Sequence, residues 1–103
     1  MLLDYSIIKT KNISSKFLQE YVSLKDDNKD CILLVQVGDF CESYFYDAKI
    51  FAETAGVILT SRFYKELGNV AMAGVPKQSV NLFIKKLLNQ KIDIKYSMKY
   101  MTM

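Results

Sequence analysis

The sequence contains no histidine, and it has only two cysteines and one proline among its 103 residues. Without histidine, Ser-His and Cys-His catalytic pairs are excluded, because histidine is the general base in both. A structural zinc site needs four sulfur or nitrogen ligands, and Cys31 and Cys41 are too few to form one. Any catalysis would rest on carboxylates, lysines or tyrosines. We expect no enzymatic activity, no metal and no cofactor.

The sequence also lacks long apolar runs and an export signal. A helix needs about 20 apolar residues to cross a membrane, and every apolar run here is much shorter. The N-terminus carries Asp4 and has no basic stretch ahead of a long apolar segment. We therefore expect a soluble cytoplasmic protein without a membrane partner, in which a disulfide between the cysteines is not favoured.

Acidic residues are scarce only near the end of the chain. The first 76 residues hold eight basic and ten acidic residues, whereas the remainder holds six lysines and a single acid, Asp93. Such asymmetry indicates either a surface that faces phosphate or anionic lipid, or a lysine-rich helix and strand that are simply solvated. The charge pattern alone leaves both interpretations open.

The hydrophobic pattern predicts one domain over residues 1–103, with 50% hydrophobic and 24% charged residues. Its order is α-β-β-α-β-β-α-β, after a lead-in at residues 1–13. This order predicts an α/β (α+β) fold, a mixed sheet of about five or six strands flanked by three helices. The predicted helices start at a Ser14 or Ser15 cap, near Tyr46 and at Pro76, and the predicted strands cover 31–37, 43–46, 57–64, 70–74 and 92–100.

The segment VGDFCES, residues 37–43, interrupts the first strand with Gly38 and Asp39 and then presents Phe40 and Glu42. From these residues alone, Phe40 is expected in the core and Glu42 at the solvated rim of the same strand face. Phosphate-binding glycine loops are absent from the sequence. The carboxylates Asp39, Glu42, Asp47 and Glu53 suggest a Mg²⁺ nuclease site, but the lysine partner that such nucleases use is missing from this stretch.

Several ordered blocks resemble the N-terminal mismatch-recognition domain, domain I, of the MutS family of DNA mismatch-repair proteins. The blocks cover most of residues 15–90 and read FLQEYVSLK, VGDFCESYFYDAKIFA, LTSR, MAGVP and VNLFIKKLLNQ. The resemblance implies a mixed sheet flanked by helices, double-stranded DNA with mismatches or small loops as partner, and a place beside other mismatch-repair proteins. The connector, clamp and ATPase regions of that family are not in this sequence. We therefore expect an excised domain or a free-standing relative.

The resemblance also assigns roles to individual residues. It implies that Phe40 enters the minor groove and stacks on a mispaired or unpaired base, while Glu42 hydrogen-bonds to that base. Arg62, in the LTSR block, is the best match for a contact to the DNA backbone. Charge and position add Lys16, Lys65 and Lys77 as weaker candidates for the same role.

This sequence departs from the family pattern at two of these blocks. Cys41 stands between Phe40 and Glu42 where an aromatic residue is expected, and Lys77-Gln78 replaces the usual Tyr-His after MAGVP. The alternative is a protein-interaction or regulatory module that keeps the fold, senses no mismatch, and docks through its lysine-rich third helix and last strand.

Overall fold

The computed structural model describes residues 1–97. The elements are α1 Lys16–Asp26, β1 Ile32–Val37, β2 Phe40–Tyr44, α2 Phe45–Ala55, β3 Thr60–Tyr64, β4 Gly68–Pro76, α3 Val80–Asn89 and β5 Ile94–Ser97. The predicted order of helices and strands is confirmed. The strands form a five-stranded sheet in the order β3-β4-β2-β1-β5. Strand β5 runs parallel to β1, and the other neighbours are antiparallel, so the sheet is mixed as predicted.

Side chains alternate across the sheet and form two hydrophobic layers. One layer joins β1, β2 and β4 to α1 through residues such as Leu33, Tyr44 and Phe17. The other joins the opposite face of these strands to α2 and α3 through residues such as Leu34, Phe51 and Leu87. Strand β1 is buried from Ile32 to Gln36, because both of its faces are covered.

A two-residue turn connects β1 to β2 and fixes the register of the VGDFCES segment. Gly38 has φ +60°, which suits the first central position of a type II′ turn, and Val37 pairs with Phe40 across the turn. The predicted bend at Gly38-Asp39 is therefore confirmed. The turn starts β2 at Phe40. The predicted second strand is thus confirmed, but its predicted bounds, 43–46, are wrong, because pairing with β4 runs from Phe40 to Tyr44.

Other boundaries differ from those predicted. Phe45, with φ +61°, turns the chain directly into α2. Pro76 is the last residue of β4 and not the first turn of a helix, because its pairing with Phe40 extends the strand. A 3-10 helix at Lys77–Ser79 then precedes α3. Strand β3 begins only at Thr60, and predicted strand residues 98–100 lie outside the described part of the chain.

The lead-in at residues 1–13 has structure of its own. It forms a 3-10 helix at Tyr5–Thr10, capped by the Asp4 side chain, and Leu2 pairs with Val70 beside β4. The Tyr5 hydroxyl donates to Asp26 at 3.0 Å, which ties the segment to the end of α1. Ser15 caps α1, as predicted, by accepting from the Leu18 amide.

Candidate nucleic-acid interface

Helix α1 packs on one face of the sheet but does not cover one end of that face. A shallow groove of about 370 Å³ lies there. We call it the Phe40 groove. Its floor and rim come from three neighbouring strands and from Ile58, two residues before β3. The groove is lined by Phe40, Glu42, Ile58, Thr60, Arg62, Met72 and Gly74.

Phe40 stands at the rim of this groove and is 48% exposed. It is the first residue of β2, opposite Pro76 and directly after the turn, so the hydrophobic layers do not extend far enough to cover it. Ile58, at the same groove, is 84% exposed. The expectation from residue type alone, a core phenylalanine, is therefore wrong. Two large apolar side chains face outward together.

Glu42 lies on the same face as Phe40, and it is only 6% exposed. The Tyr44 hydroxyl donates a hydrogen bond of 2.8 Å to Glu42 Oε1. Arg62 Nη1 donates to Oε1 and Arg62 Nη2 to Oε2, both at 3.3 Å, and Arg62 Nη1 also donates to the Tyr44 hydroxyl. The expectation of a solvated rim glutamate is wrong as well, because these two partners stabilise the carboxylate below the surface.

Tyr44 and Arg62 keep the protonation states that this cluster needs. Burial, followed by the neighbouring Glu42 carboxylate, raises the pKa of Tyr44 far above its ordinary value, so the phenol remains a donor. Burial alone would lower the pKa of Arg62, but its interactions with the Tyr44 hydroxyl and the Glu42 carboxylate raise it overall. The Arg62 side chain is 31% exposed. It therefore pairs with Glu42 and also reaches the surface at the mouth of the groove.

Gly74 makes room for the Glu42 side chain. It pairs with Glu42 across β2 and β4, and a Cβ at Gly74 would stand 3.1 Å from Glu42 Cγ. A larger residue would require the Glu42 side chain to shift by a few tenths of an ångström. The glycine of the MAGVP block thus acts through the space it leaves empty.

Cys41 points to the other side of the sheet, as alternation along β2 requires. It is fully buried, and its Sγ lies 2.9 Å from the Tyr96 hydroxyl on β5. Both cysteines are free. The departure from the expected aromatic residue therefore changes the packing against α2, α3 and β5, and it leaves the Phe40 groove unaltered.

The three candidate lysines do not lie together. Lys77 is at the Phe40 end, where its amide donates to Asp39 O at 2.8 Å and its ammonium lies 3.8 Å from the Asp39 carboxylate. Lys16 and Lys65 lie near a different contact, in which Glu66 accepts from the Ser14 amide at 2.8 Å. The structure thus places one lysine beside Phe40 and two at the far end of the β3-β4 hairpin.

Two of the carboxylates considered for a nuclease site are buried, and each is held by a different cation. Asp47 forms a buried ion pair of 2.9 Å with Lys25, whereas Glu42 pairs with Arg62. Within residues 1–97, no group of three or more Cys, Asp or Glu side chains is arranged to hold a metal ion. In the same part of the chain, no helix is long and apolar enough to cross a membrane.

A larger cavity of about 680 Å³ lies between the N-terminal segment, α1 and α2, away from the Phe40 groove. Its buried polar residues include the Lys25–Asp47 ion pair. Lys25 also donates to Cys31 O at 2.6 Å, and Asp47 accepts from the Leu33 amide at 3.0 Å. Because these groups satisfy one another, we assign them to holding α1 and α2 on β1.

Comparison with known proteins identifies the family. The sequence model of the family MutS domain I matches residues 15–99 of this chain. The chain belongs to the MutS domain I family. Among its relatives, the DNA mismatch repair protein MutS of Pseudothermotoga lettingae is 41% identical over 71 residues, covering 69% of this chain and 8% of the relative. MutS of Prochlorococcus marinus is 36% identical over 78 residues, 75% of this chain and 8% of the relative.

A third relative, MutS of Rickettsia rickettsii, is 29% identical over 99 residues, which is 91% of this chain and 11% of the relative. The chain therefore spans only about a tenth of the length of these MutS proteins. The matched MutS domain I region contains the whole Phe40 groove, as well as α1, α2 and α3.

Tyr44, Ile58 and Gly74 belong to the groove or to the cluster beneath it, and none of them was assigned a role from the sequence. Tyr44 is one of seven tyrosines in the chain and lies in an aromatic-rich segment, so nothing singled it out. The spacing Glu42-x-Tyr44 does place both side chains on one strand face. The space at Gly74 depends on register between β2 and β4, and a single sequence does not reveal it.

Proposed function

We propose that this chain is a non-enzymatic DNA-binding module that recognises mispaired or unpaired bases in double-stranded DNA, as a part of mismatch repair. Phe40 is the wedge that enters the minor groove, and Glu42 is the sensor that hydrogen-bonds to the displaced base. The single observation that supports this most is the exposure of Phe40, 48%, at the open end of an otherwise buried strand.

An exposed aromatic wedge suits a reader of many different mispairs. Unstacking one base step costs a few kcal/mol, and the cost is lower where pairing is already defective. Stacking a base on an aromatic ring returns about 1–3 kcal/mol and accepts any base. Selectivity then follows from the deformability of the DNA. Ile58 widens the apolar rim beside the wedge.

Glu42 contributes to discrimination more than to affinity, because DNA phosphates repel a carboxylate. Its pairing with Arg62 offsets that repulsion in the free protein. Arg62 lies at the mouth of the same groove, where it is placed for a contact to the DNA backbone. Lys77 joins it at the Phe40 end, whereas Lys16 and Lys65 add positive charge at the far end of the β3-β4 hairpin.

The test is a titration of the chain with matched and single-mismatch duplexes at low salt, for the wild type, Phe40→Ala and Phe63→Ala. Phe63 is the matched control, since it is 70% exposed and stands on the opposite face of β3 from Arg62. We expect the wild type and Phe63→Ala to prefer the mismatch. Phe40→Ala should bind both duplexes equally.

Equal binding of both duplexes by the wild type, or an unchanged preference in Phe40→Ala, would remove mismatch sensing. Binding that falls with salt in all three proteins, without an effect of Phe40, would leave only a basic surface.

The outward face of α3 favours a second candidate, docking on another protein. Leu82 is 60% and Leu88 53% exposed, with Lys85 between them on the same face. Apolar side chains flanked by a lysine fit an acidic, partly apolar protein surface. Complex formation with purified mismatch-repair proteins tests this. It should be lost in the Leu82→Ser, Leu88→Ser variant and kept in Phe40→Ala.

A further inference from the structure

Ile58 stands at the Phe40 groove with 84% exposure, the highest among the large apolar side chains of residues 1–97. We propose that Ile58 is a second apolar contact to DNA, across the groove from Phe40, and that the two side chains together select duplexes whose minor groove is widened. This rests on the proposed function, because it concerns how the same groove distinguishes deformed DNA from regular DNA.

The fold does not require an apolar residue at this position. Ile58 is the middle residue of the run Val57-Ile58-Leu59. Val57 and Leu59 pack against the hydrophobic layer that α2 and α3 cover, whereas Ile58 lines the groove on the opposite face of the sheet. A polar residue in its place would leave both neighbours where they are. Two large apolar side chains exposed in one groove, here Ile58 and Phe40, are typical of a binding surface.

The backbone on both sides of Ile58 holds it in place. Gly56 ends α2 with φ +73°. The amides of Gly56 and Val57 donate to Ala52 O at 3.0 and 3.2 Å. Strand β3 begins at Thr60, two residues after Ile58. The β-branched side chain of isoleucine also has few rotamers. Because few conformations are lost on binding, contact with DNA costs Ile58 little entropy.

The spacing of the two side chains suits a widened minor groove. Phe40 is on β2 and Ile58 is on the β3 side of the groove, with β4 between them. Neighbouring strands lie about 4.8 Å apart, so the backbones that carry the two side chains are about 10 Å apart. Gly74 of β4 adds no side chain to the gap. The minor groove of regular B-DNA is about 6 Å wide, which is too narrow for both side chains.

A mismatch removes this restriction. The wedge unstacks a base step and kinks the duplex toward the major groove, which widens the minor groove, and this costs less where pairing is defective. Ile58 therefore reaches the walls of the groove on mismatched DNA and stays in water on matched DNA. An apolar contact releases no counterions, so it raises the affinity for mismatched DNA without changing the dependence of binding on salt.

The first experiment compares the wild type, Ile58→Ala and Leu82→Ala on matched and single-mismatch duplexes at several salt concentrations. Leu82 is the matched control, an aliphatic residue with 60% exposure on α3. For Ile58→Ala we expect about three- to tenfold weaker binding of the mismatch, the effect of burying part of an aliphatic side chain. Its binding of the matched duplex and its salt dependence should not change. Leu82→Ala should behave as the wild type does.

Equal weakening on both duplexes, or no weakening on either, would overturn the role of Ile58. Because Ile58 is exposed, Ile58→Ala should fold and unfold thermally as the wild type does. Phe40→Ala in the same series separates the two proposals. If it loses the mismatch preference and Ile58→Ala keeps it in full, the wedge stands and the Ile58 role fails. If the wild type shows no preference, the proposed function fails.

The second experiment varies the DNA and needs no mismatch. One matched sequence is prepared as a small closed circle and as a linear duplex of equal length, since bending widens the minor groove on the outside of the circle. We expect the wild type to bind the circle more tightly, and Ile58→Ala to show a smaller difference between the two forms. Equal binding of both forms by the wild type, or the same difference in Ile58→Ala, would overturn the selection of a widened groove.

Discussion

The stability cost of Phe40→Ala distinguishes a wedge from a core residue. Full burial of a phenylalanine side chain contributes about 1.5–3 kcal/mol. Phe40 is 48% exposed, so about half of that contribution, about 1 kcal/mol, is at stake, and truncation at the rim leaves no enclosed cavity. Phe51 is fully buried and packs edge-on against Phe83 at 6.3 Å. Its replacement by alanine should cost about 3–5 kcal/mol.

Thermal and urea unfolding measure this difference directly. For a domain of this size, 1 kcal/mol corresponds to about 4–8 °C in Tm. We expect Phe40→Ala to unfold about 4–8 °C below the wild type, and Phe51→Ala to lose at least twice as much or to fail to fold. If Phe40→Ala destabilised the chain as much as Phe51→Ala does, Phe40 would be a core residue and the wedge assignment would fail.

Three further predictions follow from individual contacts. Gly74→Ala should shift Glu42 and reduce the mismatch preference while the chain remains folded, and unchanged preference would show that the 3.1 Å approach is absorbed elsewhere. Lys25→Met should cost about 3–5 kcal/mol in urea unfolding by leaving Asp47 buried without its cation, and Lys25→Met, Asp47→Asn should recover part of the loss. A thiol reagent should label Cys31 in the native chain and reach Cys41 only on unfolding, because burial protects Cys41 and raises its pKa; equal labelling would contradict this burial.

The order of elements was predictable because it depends on local patterns. The continuous apolar run of β1, the helical spacing in α1 and the glycine that ends α2 at φ +73° each act over a few residues. The edge position of β5 also agrees with its alternating, lysine-bearing sequence. Boundaries were less predictable where pairing decides them. Phe40 and Pro76 pair with each other and so lengthen β2 and β4 at the same end of the sheet.

The sequence by itself determined the family, because the ordered blocks that resemble MutS domain I can be recognised in one chain. It also identified Phe40, Glu42 and Arg62 as candidate site residues. Only the tertiary structure decided that Phe40 is exposed and Glu42 buried, the reverse of what residue type predicts. The physical reason is that exposure depends on which neighbouring elements cover a strand end. The register of three strands brings Tyr44, Arg62 and the empty space at Gly74 around the Glu42 carboxylate. No local sequence pattern predicts this arrangement, because the residues lie on different strands.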